Sequence, residues 1–142
     1  MACRVRLLAL SAVMASICLP VAAQSIPSLV GTWKGTSRPV HLGPTPNRAA
    51  GQTGVSFGVN PVEYTYTITE QKDNRFAGEL SGGNVKETLL GALQPDNKGG
   101  IMLDLDGEHS FTLRDPNTMD ICYRHLNATS RVVACLTVTR SQ

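Results

Sequence analysis

The chain has 142 residues, of which 42% are hydrophobic and 17% are charged. Thirteen Lys and Arg residues against eleven Asp and Glu residues give a formal net charge of only +2, and the positive side chains form no cluster along the sequence. This charge pattern excludes the basic surface that nucleic-acid-binding proteins use. A chain of this length supports one hydrophobic core and not two.

The first residues have the pattern of a secretory signal peptide. Two arginines precede a short apolar run over 7–19, and small residues follow at the positions expected before a cleavage site. The pattern predicts a signal peptide over 1–23, cleavage after Ala23, and a single mature domain over 24–142. The apolar run is too short to span a bilayer, and no later segment is apolar enough to do so. We therefore expect a secreted or periplasmic protein without a membrane span.

After the predicted signal peptide, apolar and polar residues alternate, as they do in β-strands. In chain order the alternation predicts strands over 29–36, 62–69, 75–80, 85–93, 101–105, 109–113, 118–125 and 132–140. The segment 38–61 holds four prolines and four glycines, which predicts a long loop between the first two strands. Within this loop Val55, Phe57 and Val59 alternate, and we interpret them as an early, bulged extension of the next strand.

The segment 85–93 is open to two interpretations. Asn84 and Glu87 are spaced as in a helix capping box, and the leucines that follow could line one face of a short helix. Thr88 and Gly91 weaken a helix of this length, and the predicted neighbours are all strands. We therefore expect a strand.

Eight consecutive strands with mostly short connections predict an all-β fold, an eight-stranded antiparallel up-and-down β-barrel. Closing the sheet removes the exposed edges that an open sheet would leave. A two-sheet sandwich is the alternative. A barrel of this size is either filled with side chains or holds one small ligand.

Cys122 and Cys135 are the two cysteines outside the predicted signal peptide, and an oxidising compartment would join them. If they face each other on neighbouring strands, the turn falls between Ala128 and Thr129, among turn-forming residues. This register gathers polar residues on the cysteine face and apolar residues, Tyr123 among them, on the other. We expect a cross-strand disulfide on the outer wall that stabilises the fold by about 3 kcal/mol. Two free buried thiols are the alternative.

Alternation along the other strands assigns further side chains to the barrel interior. They are Tyr64, Tyr66, Ile68, Phe76, Gly78, Leu80, Ile101, Leu103, Leu105, His109, Phe111 and Leu113. If Ile68 lies opposite Phe76, then Gly78 lies opposite Tyr66 and leaves room for its ring.

One end of the predicted barrel collects polar side chains. Up-and-down topology places all three histidines at the end that carries the loop 38–61 and the turns at 106–107 and 127–130. The candidate ligand-binding residues of the lumen and mouth are Tyr64, Tyr66, Glu87, His109, Phe111, Tyr123 and His125. A wet polar rim whose members only hydrogen-bond one another is the alternative.

The sequence offers no convincing metal or catalytic motif. It has no HxH or HExxH pair, and its G-x-S-x-G match at 54–58 lies in the predicted loop 38–61, not at the strand-to-helix turn of a nucleophile elbow. We therefore expect no metal, no cofactor and no enzymatic activity. Two rival hypotheses stay open: a metal or haem site at the mouth, and an acid–base pair of His125 with Glu87.

The opposite end carries Gly31 and Trp33 on the first strand and Arg140 on the last, all with inward parity. If the barrel closes, Arg140 lies over Trp33 in a cation–π contact that plugs the floor. In these residues the sequence resembles the calycin superfamily, the lipocalin- and avidin-like barrels, which use a first-strand G-x-W and a late basic residue in this way. The resemblance covers the strand order over most of 29–140. It implies that the first and last strands are neighbours.

The resemblance has limits that bear on function. The chain lacks the many tryptophans of avidin and the C-terminal helix of lipocalins, so biotin binding is not implied. The chain also resembles small secreted proteins of unknown function that share its Cys-Tyr and late-Cys ending.

The sequence thus predicts a secreted or periplasmic barrel that binds a small apolar or amphipathic molecule. The alternative is a protein-binding module, similar to exported protease inhibitors on this fold, that docks a secreted partner through the loop 38–61. The triplet 127–129 matches an N-glycosylation sequon at an exposed turn, which has meaning only in a eukaryotic host.

Overall fold

The alternating sequence that follows the predicted signal peptide folds into strands. A computed structural model of the protein describes residues 25–46, 48 and 51–141, so the predicted signal peptide over 1–23 and its cleavage site lie outside the described residues. The strands are β1 (Gly31–Ser37), β2 (Val40–Leu42), β3 (Ser56–Phe57), β4 (Val62–Lys72), β5 (Arg75–Gly82), β6 (Val85–Leu93), β7 (Gly99–Leu103), β8 (Gly107–Asp115), β9 (Thr118–Leu126) and β10 (Arg131–Arg140). Within this part of the chain, no helix has the length and apolar character needed to cross a membrane.

Eight of the strands form a closed antiparallel barrel. Each strand from β4 to β10 pairs with the next, β4 pairs with β1, and β1 closes the circle on β10. The predicted eight-stranded all-β barrel is therefore confirmed, and the sandwich is excluded. The segment 85–93 forms β6, as predicted, because its backbone is paired on one side with β5 and on the other with β7.

The short strands β2 and β3 extend the wall above the first barrel strand. Trp33 of β1 lies opposite Arg140 of β10, and Val40 of β2 lies opposite Val133 in the same register. The chain therefore continues along β10 after a short interruption. On the other side of β2, β3 occupies the position that β4 has beside β1, and Phe57 lies opposite Val40. This arrangement matches the interpretation of 55–59 as an extension of the following strand.

The C-terminal hairpin has the register that the cysteines predict. Cys122 lies directly opposite Cys135, Asp120 opposite Thr137, and Met119 opposite Val138. The disulfide between Cys122 and Cys135 is formed, with a Cα–Cα distance of 4.1 Å, and both residues are exposed on the outer wall.

Two predicted registers elsewhere are wrong. The first concerns Gly78, which lies opposite Ile68, while Tyr66 lies opposite Leu80. The reason is that β4 runs to Lys72, with a bulge after Ile68, and turns within only two residues. The regular alternation of inward and outward side chains ends at the bulge. The residue opposite Ile68 therefore cannot be found by counting residues across the hairpin.

The second wrong register concerns β7. Ile101, Leu103 and Leu105 were expected in the interior, but they are 46%, 48% and 83% exposed. Met102 is buried instead, because it pairs with His109, and directly opposed residues share one face of a sheet. The loop begins at Asp104, whose Oδ1 accepts hydrogen bonds from the amides of residues 106 and 107.

The lower half of the barrel is filled by a hydrophobic core. Its buried side chains include Leu29, Ile68, Phe76, Leu89, Leu93, Met102, Phe111, Met119, Ile121 and Val138. Phe76 and Phe111 meet edge to face, with ring centroids 5.9 Å apart. A side chain at Gly91 would overlap the Phe76 ring, because its Cβ would lie 2.2 Å from Cζ.

Arg140 and Trp33 close the floor of this core. The Arg140 guanidinium carbon lies 4.2 Å from the Trp33 ring centroid, so the predicted contact is present. Arg140 also donates to the carbonyl oxygens of Ser28, Val30 and Pro116. Trp33 is fully buried, and its Nε1 donates to the carbonyl of Leu29 at 2.9 Å. The last residue of β10 thereby fixes the segment that precedes β1.

Candidate functional site

The upper half of the barrel encloses a cavity of about 230 Å³ at the end opposite Trp33. Six of the seven predicted lumen and mouth residues line it: Tyr64, Tyr66, Glu87, His109, Tyr123 and His125. The seventh, Phe111, does not line the cavity and packs in the core below it. Alternation predicted correctly that Phe111 faces the barrel interior. It could not show how far the residue lies from the open end, and Phe111 lies below the cavity.

Glycines on neighbouring strands make room for the tyrosine rings. A Cβ on Gly107 would lie 2.1 Å from a ring carbon of Tyr123, and a Cβ on Gly82 would lie 2.4 Å from a ring carbon of Tyr64. Both rings can therefore turn into the lumen and lie along the wall instead of standing away from it.

A buried ion pair lies at the base of the cavity. His109 Nε2 is 2.9 Å from Asp104 Oδ2, and both side chains are almost fully buried, at 2% and 3% exposure. On its other side, His109 Nδ1 lies 3.4 Å from the Tyr66 hydroxyl. The rings of His109 and Tyr123 are stacked at a tilt, with centroids 4.7 Å apart.

The environment of Asp104 keeps it ionised. Burial alone would raise its pKa, but the hydrogen bond and charge of His109 and the amides of Gly107 and Asp106 outweigh burial, so the pKa lies below its ordinary value. The sequence did not point to Asp104, because it lies between Leu103 and Leu105, which were both predicted to face the interior. Alternation therefore placed Asp104 on the outer wall. Its position ahead of an Asp-Gly turn, where a carboxylate can accept turn amides, was the available signal.

The tyrosines of the cavity stay protonated. Burial, followed by the nearby charge of Asp104 and other acidic groups, raises the pKa of Tyr66 and of Tyr123 far above the usual value. Both phenols are therefore neutral hydrogen-bond donors. Tyr123 donates to Asp106 Oδ1 at 3.2 Å.

Three carboxylates converge on one side of the cavity. Glu87, Asp104 and Asp106 each offer an oxygen, and these oxygens lie within 4.8 Å of one another. Glu87 Oε2 accepts the amide of Leu105 at 3.1 Å. The described lining residues include no Lys or Arg. These three oxygens are the groups that could hold a cation.

His125 belongs to a separate polar cluster at the mouth. Its Nδ1 lies 2.9 Å from the carbonyl oxygen of Asp106, which can only accept, so Nδ1 carries the proton. Its Nε2 is then free to accept from Ser130 Oγ at 2.8 Å. Among the described residues no hydrogen bond joins His125 to Glu87, so the hypothesised acid–base pair is not formed.

A hydroxyl beside a histidine nitrogen can also be the start of a nucleophilic site. Here the geometry favours a structural role, because Ser130 is part of an Asx-type turn. Asn127 Oδ1 accepts from the amides of Thr129 and Ser130 at 2.8 and 2.7 Å, and Asn127 Nδ2 lies 3.1 Å from His125 Nε2. The amide of the predicted sequon is thus engaged within the hairpin.

The loop after β2 covers part of the mouth. His41 is buried, and its Nδ1 lies 3.1 Å from Thr45 Oγ1. Burial and the charge of Arg48 lower the pKa of His41, so its imidazole is neutral. Asn84, in the β5–β6 turn, donates to the carbonyl of Pro46 at 3.1 Å and ties the loop to the far wall.

Two buried polar atoms of the described residues have no hydrogen-bond partner, Ser37 Oγ at the end of β1 and Arg48 Nε. Of these two residues, Ser37 lines the cavity, and it is only 4% exposed. A buried hydroxyl without a partner costs about 1 to 3 kcal/mol. A polar group inside the cavity would remove this cost.

Comparison with known proteins adds little to this geometry. The chain matches no protein-family model and no curated protein sequence. Among solved structures it is similar to the S-type phycobiliprotein lyase CPES from Guillardia theta, with 9% sequence identity and a TM-score of 0.36. The similarity covers 80% of this chain and 89% of the lyase. At this score the likeness carries no functional argument, and the fold rests on the strand pairing described above.

Proposed function

We propose that the protein is an exported, calycin-like barrel that binds one small, partly apolar molecule in the cavity at its upper end. An apolar cavity of about 150 Å³ is large enough for benzene. The present cavity of about 230 Å³ therefore suits a molecule built on one substituted ring. Its walls combine tyrosine rings and aliphatic side chains with a few fixed polar groups, as ligand pockets usually do.

The unpartnered hydroxyl of Ser37 is the observation that carries the proposal. A side-chain-filled barrel would have no reason to keep a buried polar atom without a partner at the edge of an open space. A bound molecule that hydrogen-bonds Ser37 Oγ removes this cost, and the energy recovered contributes to the binding free energy.

Three sequence features support export and the calycin-like character. The pattern over 1–23 is that of a cleavable signal peptide. The disulfide of β9 and β10 needs an oxidising compartment, such as the periplasm or the extracellular medium. The floor contact between the first-strand Trp33 and the late Arg140 is the one that calycin barrels use.

Mass spectrometry of the protein recovered from its own host tests this function. We expect a non-covalent adduct of single-ring size under native conditions, which is lost on denaturation. The denatured mass should correspond to a chain starting at residue 24 and lacking two hydrogens for the disulfide. A bare native mass, together with no stabilisation by a panel of small aromatic molecules, would argue against a ligand-binding role.

Ser37→Ala is the variant that probes the site directly. The ligand-free protein should be about 1 kcal/mol more stable, because the unsatisfied hydroxyl is removed. The adduct should be weakened or lost. Ser110→Ala is the matched control, because Ser110 lies on the outer wall of β8 and donates to the carbonyl of Cys122. A Ser37→Ala variant that is no more stable and keeps its adduct would contradict the assignment.

A second function, docking of a secreted protein, is favoured by one feature of the loop 38–61. Val55, Phe57 and Val59 are 65%, 73% and 85% exposed, although they are apolar. We expect that Phe57→Ser would abolish co-purification of such a partner and leave the small-molecule adduct intact. Loss of the adduct in this variant would assign the loop to the cavity instead.

A further inference from the structure

The charge of the cavity indicates which class of molecule it accepts. Glu87, Asp104 and Asp106 bring three carboxylates within 4.8 Å of one another. Like charges at this spacing repel, and the repulsion is relieved by protonation or by a nearby positive charge. His109 Nε2 lies 2.9 Å from Asp104 Oδ2, and His125 Nδ1 lies 3.3 Å from Asp106 Oδ1. No Lys or Arg among the described lining residues adds to these two imidazoles, and neither of the two contacts involves Glu87.

The aromatic walls favour the same charge. Tyr64, Tyr66 and Tyr123 line the cavity, and the phenols of Tyr66 and Tyr123 stay neutral. The face of a neutral aromatic ring attracts a cation. An anionic ligand would meet three carboxylates and, among the described lining residues, no Lys or Arg.

The unpartnered hydroxyl of Ser37 belongs to the opposite wall. In the barrel order, β1 and β7 are separated by three strands in either direction. Ser37, at the end of β1, therefore lies across the lumen from the carboxylates at β6 and the β7–β8 loop. Between them the wall is apolar, with Leu80, Ala134 and Leu136 lining the cavity.

We propose that the ligand is a small arylalkylamine whose ammonium group binds among Glu87, Asp104 and Asp106 and whose far end carries a polar group that hydrogen-bonds Ser37. This inference rests on the proposed binding function and specifies its ligand class. The ammonium donates to the carboxylates, the ring lies along the tyrosines, and the second polar group removes the unsatisfied hydroxyl.

Four probes of nearly equal size separate these contributions. Tyramine carries the amine, the ring and a phenol. Phenethylamine lacks the phenol, 4-ethylphenol lacks the amine, and 3-(4-hydroxyphenyl)propionate replaces the amine with a carboxylate. Isothermal titration calorimetry on the disulfide-bonded mature protein measures their affinities. We expect tyramine to bind at least about tenfold more tightly than 4-ethylphenol, and the carboxylate probe not to bind.

Glu87→Gln tests the carboxylate without removing its structural contact, because the amide oxygen can still accept the amide of Leu105. We expect about a tenfold loss for tyramine and no change for 4-ethylphenol. Glu79→Gln is the matched control, because Glu79 is an exposed outer-wall carboxylate that pairs with Lys86. Asp106→Asn provides a second measurement if Glu87→Gln does not fold.

The outcomes separate this inference from the general function. Equal affinity for tyramine and 4-ethylphenol would overturn the amine assignment and leave small-molecule binding standing. Binding of calcium but not of tyramine would also overturn it, because the carboxylates would then form a metal site. If none of the four probes binds and the native mass is bare, both the ligand class and the proposed function are wrong.

Discussion

At the residue scale, the ion pair of Asp104 and His109 has the strongest influence on the site. It places a charged carboxylate in an almost fully buried position below the cavity. Such a pair is costly to desolvate, and removing one partner leaves the other poorly compensated. Asp104 Oδ1 also accepts hydrogen bonds from two backbone amides of the β7–β8 turn, so the same side chain shapes this loop. The site and the loop therefore depend on one residue.

Asp104→Asn should lower the free energy of unfolding by about 2 kcal/mol at neutral pH, because hydrogen bonds to a charged acceptor are lost. The pKa of Asp104 is lower in the folded protein than in the unfolded chain, where it is about 3.9. Its contribution is therefore full above that value and is lost as the pH falls through it toward the folded pKa. Urea titrations of both proteins from pH 7 to pH 2 measure the difference.

The difference curve isolates Asp104 from other acidic groups. Asp115 and Asp120 also have lowered pKa values and weaken the wild-type fold in acid, but they are present in both proteins. The titratable groups near Asp104 are His109, Asp106, Glu87, Tyr66 and Tyr123. A stability difference that is the same at pH 7 and pH 2 would show that the carboxylate charge does not contribute.

At the element scale, β7 shows how a strand can contradict its own sequence pattern. Ile101, Leu103 and Leu105 alternate as an interior face would, yet the hairpin with β8 turns them outward. His109 fixes the outcome, because burying it with Asp104 obliges Met102 to share its face. The polar pair thus determines the register, and the apolar residues adapt to it.

Paired substitutions on β7 check this register. Met102→Ala should cost about 2 to 5 kcal/mol, because it leaves a cavity in the core. Leu105→Ser should change the free energy of unfolding by less than about 0.5 kcal/mol, because this leucine is largely in solvent. Chemical denaturation of the two variants gives both values. A large loss for Leu105→Ser with a small loss for Met102→Ala would restore the sequence-based orientation.

The register of a hairpin could be predicted from the sequence only where a specific residue pair fixes which residues are opposed. In β9–β10 the cysteines fix which residues are opposed, and the register was predicted correctly. In β4–β5 and β7–β8 no such pair exists, and a bulge or a loop residue shifts the count. Six cavity residues followed from strand parity. Strand parity did not identify four further residues of the site. Their roles depend on hydrogen-bond partners elsewhere in the chain or, for Ser37, on having no partner; the four are Ser37, Asp104, Asp106 and Ser130.

At the scale of the whole molecule, the two ends of the described chain meet in the floor. Arg140 is bound to carbonyls at Ser28 and Val30, more than one hundred residues earlier in the sequence, and to Pro116. The amide of Ser141 also donates to the carbonyl of Thr32 at 2.7 Å. Closure of the barrel is therefore held by contacts of the longest range in the chain.

Arg140→Lys should lower the free energy of unfolding by about 2 kcal/mol. Lysine keeps a charge near the Trp33 ring, but its single nitrogen cannot reproduce the guanidinium fork that binds three carbonyls. Fluorescence of Trp33, the protein's one tryptophan, reports the denaturant midpoint. Arg131→Lys is the control, since Arg131 is exposed at the other end of β10. Equal midpoints for Arg140→Lys and the wild type would show that the fork does not hold the floor.

The long range of these closing contacts has a consequence for the growing chain. The cavity is lined by residues from Ser37 to Leu136, and one of its walls is β10, which follows the other described strands in chain order. No N-terminal fragment that lacks β10 can therefore form the cavity or seal its floor. Structures dominated by such distant pairings fold slowly. The cavity can therefore close only after β10 has been synthesised, and a chain cut short before Arg131 would lack one wall of the cavity and the Arg140 contact of the floor.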